Sequence, residues 1–360
     1  MLAGPGMAID IASFTDLDAV AADAGGALDR THQRCLFDRL DWYRLLLEHC
    51  PPAGEPLIVR ARDGLGAVWL LLTRRSRHAT ALANWYSLET GPVTMGDTRS
   101  ELLEALAHHL RVNHRLTMIS LAPMREDRLS MMRAAFHRAG WITKCSGIST
   151  NWSICIAGPS WPDYLARRPG RLQNTLRRKT RSNNLEIHII EQFNEDIWHS
   201  YEQIYASSWK PQEGSPAFLT ALAKQESAAG TLRLGLAFDN GVPIAAQFWL
   251  VENGEATIHK LAHAHDRRDQ SPGTILTAAM FRHAIEQDKV QRIDFGTGND
   301  PYKADWMDLS RPLFQLDLFN PRTIAGLTGA LRGTLSTART AIRRAGNRLR
   351  GLRNDRQTSD

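Results

Sequence analysis

One order of secondary-structure signals occurs twice along this chain, and that recurrence limits the folds open to it more than any single motif does. In the first half, strand-like segments at Pro56 to Arg62 and Ala67 to Thr73 lead to a helical pattern at Ser100 to Arg111, a strand at Leu116 to Leu121 and a helix at Arg128 to Ala139. In the second half, LRLGLAF and PIAAQFWLV lead through ATIHKLAHA to a helix from Pro272 to Gln287, the strand VQRIDFG and a last strand PLFQLDLF. Apolar residues alternate in the strand segments and recur at three and four in the helical ones. Asp239-Asn240-Gly241 marks a hairpin, because Asn and Gly accept the positive φ of a tight turn. A repeated order of elements predicts two related lobes side by side, and 360 residues suffice for two cores. The divisions read as a loosely attached lead-in over 1–30, a first lobe over 31–150, a second over 151–320 and a tail over 321–360. Further helices are expected from Phe37, from Trp161 to about Asn183, around Trp198 to Trp209 and around Phe218 to Ser227.

The net charge of +6 invites a nucleic-acid reading until it is located. Residues 321–360 hold nine Arg and two Asp, a surplus of seven that leaves residues 1–320 at −1. A near-neutral body argues against a nucleic-acid groove. The tail's Leu327, Leu331, Leu335, Ala338, Ile342, Ala345, Leu349 and Leu352 recur at helical spacing with Arg between them, an amphipathic basic pattern suited to an anionic membrane surface, the body of the protein or a second copy of the chain. No apolar run reaches the ~18 residues of a membrane span, and the N-terminal stretch lacks the basic and apolar blocks of a signal peptide. The expected place is the cytoplasm, peripheral to the inner face of the membrane if the tail binds it. Four cysteines without a CxxC pair favour reduced thiols, and His263-Ala264-His265 lacks a third ligand, so no metal is expected.

Ser271-Pro272-Gly273-Thr274 follows a strand and opens a helix. Ser is a good N-cap, Pro fits the first turn and Gly lets a ligand approach the backbone. The free N–H groups and dipole of such a terminus can hold a pyrophosphate; an ordinary capped helix is the plainer alternative.

The wider block, IHKLAHAHDRRDQSPGTILTAAMFRHAIEQDKVQRIDFGTGNDPYKADW, resembles the CelD/BcsL-like family of GNAT acyltransferases, relatives of the FemABX transferases that include bacterial ceramide-synthase-like members. The Lys-Leu-Ala strand, the Ser-Pro-Gly helix start, the strand ending in Asp-Phe and the Asp-x-Tyr-Lys-x-x-Trp segment occur here in the family's order. The resemblance implies an α/β (α+β) fold of tandem GNAT-like lobes, each a mixed, mostly antiparallel sheet flanked by helices. It implies acetyl-CoA or acyl-CoA as co-substrate, with the pyrophosphate on Asp269, Gln270, Ser271, Gly273 and Thr274 and the pantetheine along Leu261 and Ala262. Direct transfer to an amine needs a base and an oxyanion donor. Strand alternation sets His259, Leu261 and His263 on one face, with His259 or His263 as the base. Asp294, Tyr302 and Lys303 complete the expected catalytic group, Tyr302 as acid to the thiolate and Lys303 either holding an anion or locking its loop to Asp300 or Asp305. Asp300, Trp306 and, from the basic run of Arg167 to Arg181, Arg177 and Arg178 are the expected substrate contacts, while Trp209, Phe248 and Trp249 read as core. The implied activity is N-acylation of an envelope lipid or sugar precursor, such as a sphingoid base. The alternatives are a FemABX-like transfer from aminoacyl-tRNA and a non-catalytic accessory role in polysaccharide biosynthesis.

Overall fold

The computed structural model describes residues 8–158, 160–182 and 184–332. In chain order these form β1 (Asp10–Phe14), α1 (Leu17–Ala24), α2 (Leu40–His49), β2 (Glu55–Arg62), β3 (Gly66–Arg75), β4 (His78–Ala81), β5 (Val93–Gly96), α3 (Ser100–Val112), β6 (Met118–Met124), α4 (Glu126–Arg138) and β7 (Ile142–Cys155). The second half adds α5 (Trp161–Ala166), α6 (Gly170–Ser182), β8 (Glu186–Ile190), α7 (Glu195–Ala206), α8 (Pro216–Ala228), β9 (Leu232–Asp239), β10 (Val242–Glu252), β11 (Glu255–His263), α9 (Pro272–Glu286), β12 (Arg292–Thr297), α10 (Lys303–Trp306) and β13 (Leu309–Phe319).

The strands join in one mixed sheet in the order β1-β2-β3-β4-β6-β13-β7-β12-β11-β10-β9-β8, with β5 on β3. Its two parallel pairings are β4 with β6, over His78–Thr80, and β11 with β12, over Glu255–Thr257. Both follow an antiparallel hairpin and precede the same helix-then-strand step, so the sequence repeat is a structural one. After three residues each parallel pair diverges and leaves a wedge in the sheet. The last strand, β13, inserts between β6 and β7 and pairs with both, so it seals the two lobes into one sheet.

Three apolar cores follow from this layout. One lies under α3 and α4 in the first lobe, and one under α5, α6 and α9 in the second. The third is common to both, since Trp42, Tyr43 and Trp69 of the first lobe pack with Trp198, Phe218 and Phe248 of the second. Paired charges reinforce this junction: the half-buried Arg30 reaches the buried Glu226 at 2.5 Å and Glu252 at 3.0 Å, and the fully buried Arg39 reaches Glu252 at 2.7 Å. Pairing matters here because an isolated buried charge costs several kcal/mol.

Two expectations need correction. Of the expected lead-in, residues 8–30 are packed on the first lobe: β1 pairs along β2, Leu17 and Val20 of α1 are buried in the shared core, and Arg30 takes part in the ion pairs of the junction. The helix expected from Trp161 to Asn183 is two helices, broken at Pro169, where a ring nitrogen without N–H cannot continue the ladder. The hairpin at Asn240 and Gly241 is formed, with φ of 49° and 79°. Among the described residues no helix is long and apolar enough to cross a membrane. Residues 324–332 are helical, and the amphipathic positions of the tail from Leu335 onward lie outside the described residues.

Candidate active site

The wedge between β11 and β12 opens toward the first turn of α9, and the backbone there is shaped for a ligand. Ser271 stands in the left-handed region at φ 56°, ψ 44°, and its side chain caps nothing. The expected Ser N-cap bond is therefore absent; instead the turned backbone brings the Ser271 carbonyl under the Thr274 and Ile275 N–H groups. At Gly273 a Cβ would stand 3.1 Å from the His263 ring, so a larger residue would press on that histidine. Ser271, Gly273, Thr274, Leu261 and His263 line a cleft of about 610 Å³, and Arg171 and Arg268 add cations to its wall. A helix start at a glycine, with the Arg268 guanidinium beside it and Arg171 paired to Asp305 at the rim, fits a phosphate group. Asp269 and Gln270 stand behind this cradle: the Asp269 carbonyl accepts from Lys179, and the Gln270 amide donates to Asp239.

The middle of β11 departs from simple alternation. Phe248 pairs with Lys260 and Trp249 with Ile258, which leaves His259 as the extra residue of a β-bulge. The bulge separates the two histidines that alternation set on one face. Leu261 and His263 face the cleft, whereas His259 packs among Trp42, Tyr86 and Phe248 at the lobe junction. Both His259 ring nitrogens are buried without a hydrogen-bond partner, and burial drives its pKa down to about 3. His259 is thus a neutral group whose ring nitrogens are closed off, although the residue itself borders a cavity between the lobes. Ala262 likewise belongs to the shared core and not to the cleft.

His263 is set up differently. Its Nδ1 lies 3.1 Å from the Ala264 carbonyl, which fixes that nitrogen as donor and leaves Nε2 as an acceptor. Burial, with help from Arg268, His265 and Lys210, holds its pKa below the ordinary value, so it is neutral at pH 7. The Trp209 ring lies 4.3 Å from it. Trp209 is 50% exposed and lines the cleft, so it is wall and not core, while Phe248 and Trp249 are core as expected.

Beyond His263 the cleft meets a second chamber of about 260 Å³, with Trp209, Leu261, Asp300 and Tyr302 in the walls of both. Tyr302 packs edge-on against Phe295, and burial raises its pKa, so its phenol keeps its proton. Lys303 is 5% exposed, and its Nζ donates to the carbonyls of Thr297 at 2.6 Å and Phe295 at 3.3 Å, with Asp300 at 4.0 Å. The loop lock is the arrangement found. The chamber also holds residues that the sequence did not single out: Lys210, Lys260, and Trp85 and Tyr86 from the first lobe.

Three further expected site residues are placed elsewhere, and a fourth, Trp306, reaches the cleft only from behind. Asp294 accepts from Asn151 at 2.8 Å and from the Gly296 N–H at 2.7 Å and lines a separate cavity at the lobe junction. Arg177 and Arg178 lie on an exposed face of α6, because Leu172 and Leu176 take the buried one; Arg171 is the arginine of this helix that reaches the cleft. Trp306 is 3% exposed and touches the cleft from the core, its carbonyl accepting from Tyr164. Among the described residues no group of three or more His, Cys, Asp or Glu could hold a metal ion.

Residues 166–304, from the end of α5 through the first residues of α10, match the family model described as an acetyltransferase (GNAT) domain. The chain carries a GNAT acyltransferase domain. The protein is an enzyme of the acyltransferase class, with its GNAT domain in the second lobe. Solved structures share its fold, among them the following three. FemX has a TM-score of 0.56 at 11% identity, over 79% of this chain and 92% of that one. L-PGS from Bacillus licheniformis has 0.52 at 10%, over 82% and 95%. The C-terminal domain (DUF2156) of a putative lysylphosphatidylglycerol synthetase from Agrobacterium fabrum has 0.50 at 14%, over 74% and 85%. All three overlap the chain well beyond its GNAT domain, so the likeness includes the first lobe. No curated protein matches the chain in sequence. These findings establish a GNAT domain within a FemX-like fold, and they bear on that broad group and not on the CelD/BcsL or ceramide-synthase type.

Proposed function

We propose that the protein is an acyl-CoA-dependent N-acyltransferase acting on the amine of a cell-envelope lipid or sugar precursor. One observation carries this reading: a single path leads from the glycine cradle at the start of α9, past a neutral histidine with a free acceptor nitrogen, into a chamber between the lobes. Ser271, Gly273, Thr274, Arg171 and Arg268 would hold the coenzyme's phosphates, and the free edge of β11 would take the pantetheine amides as an added strand does. At the bulge, residue 259 lies outside the regular ladder. A backbone N–H released there is a donor for the carbonyl oxygen under attack. His263 Nε2 takes a proton from the incoming amine, the amine nitrogen bonds to the carbonyl carbon, the C–S bond breaks, and the Tyr302 hydroxyl protonates the leaving sulfur.

The FemX-like fold keeps the aminoacyl-tRNA alternative in view, but the −1 charge of residues 1–320 offers little to an RNA backbone, which supports a coenzyme donor. The nine arginines of residues 321–360 support an acceptor met at the cytoplasmic membrane surface. A thermal-shift series with free coenzyme A, acetyl-CoA and long-chain acyl-CoA tests the proposal, since a ligand of the native state raises its melting temperature. At least one thioester is expected to do so, and no response to any of them would overturn the proposal. A response confined to long chains would favour a lipid product such as an N-acylated sphingoid base.

A further inference from the structure

The chamber beside His263 is lined by three lysines, and their surroundings differ. Lys260 is neutralised: its Nζ lies 3.0 Å and 3.2 Å from the two Glu213 carboxylate oxygens and 4.5 Å from the Tyr86 ring centre. Lys303 is consumed by the carbonyls of its own loop. Lys210 has no ion pair among the described residues. Its Nζ lies 5.8 Å from the Trp209 ring centre and 5.9 Å from that of Tyr205, near the outer reach of cation–π attraction. The charges that act on it are Lys260 and Lys303 against Glu213 and Asp300, and the first of those carboxylates is already shared by Lys260 and the Tyr86 hydroxyl. Lys210 is half-buried with an ammonium unpaired among the described residues, so an anion that enters the chamber finds a cation free to join it.

Its position says whose anion. Lys210 lines the chamber and not the donor cleft, and it adjoins Trp209, which lies against His263. We infer that Lys210 anchors an anionic group carried by the acceptor, so that the substrate is an amine bearing its own carboxylate or phosphate. The inference rests on the proposed function in taking the chamber as the acceptor side. A bound anion completes the Lys210 environment and presents the attached amine to His263 Nε2, while Trp85 and Trp209 form walls contributed by the two lobes. A neutral amine of the same size leaves the ammonium without its partner.

The test pairs each anionic amine with its neutral counterpart: glycine with glycine methyl ester, and phosphoethanolamine with ethanolamine. All four are titrated calorimetrically into the full-length protein without coenzyme. The anionic member of at least one pair is expected to bind roughly tenfold to a hundredfold more tightly. Lys210→Met should remove that preference and Lys210→Arg should keep it. The pair that shows the larger ratio tells carboxylate from phosphate. Equal binding within both pairs, no binding of any of the four, or a preference that survives in Lys210→Met overturns the inference. The thermal shift with coenzyme A, measured on wild type and Lys210→Met, reads the donor side separately. Loss of the preference with an intact coenzyme response counts for the Lys210 role, whereas no coenzyme response in wild type counts against the proposed function alone.

Discussion

The two wedges in the sheet are built alike and finished differently. In the first lobe the chain takes residues 82–99 to pass from β4 to α3, spending part of that length on β5, and it arrives with Arg99 at the helix N-cap and its guanidinium bound to Asp63. In the second, residues 264–271 suffice to pass from β11 to α9, and the helix opens on Ser-Pro-Gly. A cation at a helix N-terminus opposes the dipole and fills the place an anion would take. A glycine in the first turn, without a capping side chain, leaves that place open. The long connection of the first lobe also supplies Trp85, Tyr86 and Leu88 to the chamber of the second. On the proposed function, one repeat of the scaffold binds the ligands and the other acts as wall.

If that division holds, the largest loss should come from His263 and none from the first lobe's helix start. His263→Ala is expected to lower kcat by roughly two to four orders of magnitude, the usual worth of a positioned base, with the coenzyme thermal shift unchanged. In wild type the acid limb of kcat/KM should fall below pH 6.5, because burial lowers the His263 pKa and only protonation beneath that value disables the base. The alkaline limb should begin near pH 8, where Lys210, lowered by burial to about 8, gives up the charge that holds the acceptor. An acid limb that persists in His263→Ala would assign the base to another group.

Next in size, Gly273→Val should weaken both coenzyme binding and turnover by about a hundredfold, because its branched side chain must displace the His263 ring 3.1 Å from the new Cβ. Ser100→Val, at the corresponding helix start of the first lobe, should change neither. Equal losses in the two variants would mean that the first wedge also binds ligand, and the contrast between the lobes would fail.

The sequence exposes the scaffold better than the site. Hairpin β9-β10 is legible because Asn240 and Gly241 meet a backbone demand locally, and α9 because its apolar positions and Ser-Pro-Gly start agree. Strand β7 is not legible: ITKCSGISTNWSIC has no alternation, since β12 and β13 flank it on both edges while few of its side chains are buried. The partition of His259 from His263 is hidden for a related reason. A bulge is set by register against β10, a non-local property, and a one-residue insertion exchanges the faces beyond it. Lys210 and Trp209 lie after α7, some fifty residues from the block that carries the motif, and only tertiary packing brings them to His263. The helix start at Ser271, Gly273 and Thr274 is legible because it depends on consecutive residues.

The smallest expected effect concerns stability and the strand that separates the site from the shared core. His259 contacts Trp42 and Tyr86 of the first lobe and Phe248 of the second, and its folded pKa of about 3 lies below the ordinary histidine value of 6.5. Between those values the unfolded chain takes up a proton that the folded chain refuses. Stability is therefore lost as the pH falls below 6.5, by about 1.4 kcal/mol per unit, or about 2 kcal/mol by pH 5. His259→Phe should remove this contribution: the ring nitrogens have no partners to lose, and a phenyl ring suits the aromatic surroundings, so stability at pH 7 should change little while that at pH 5 rises toward it. Urea midpoints of both proteins at the two pH values give the answer, and equal pH dependence would show that His259 exchanges protons freely in the folded state. That outcome would open the lobe junction to water and return His259 to the list of reachable bases, erasing the distinction that the bulge draws between the two histidines.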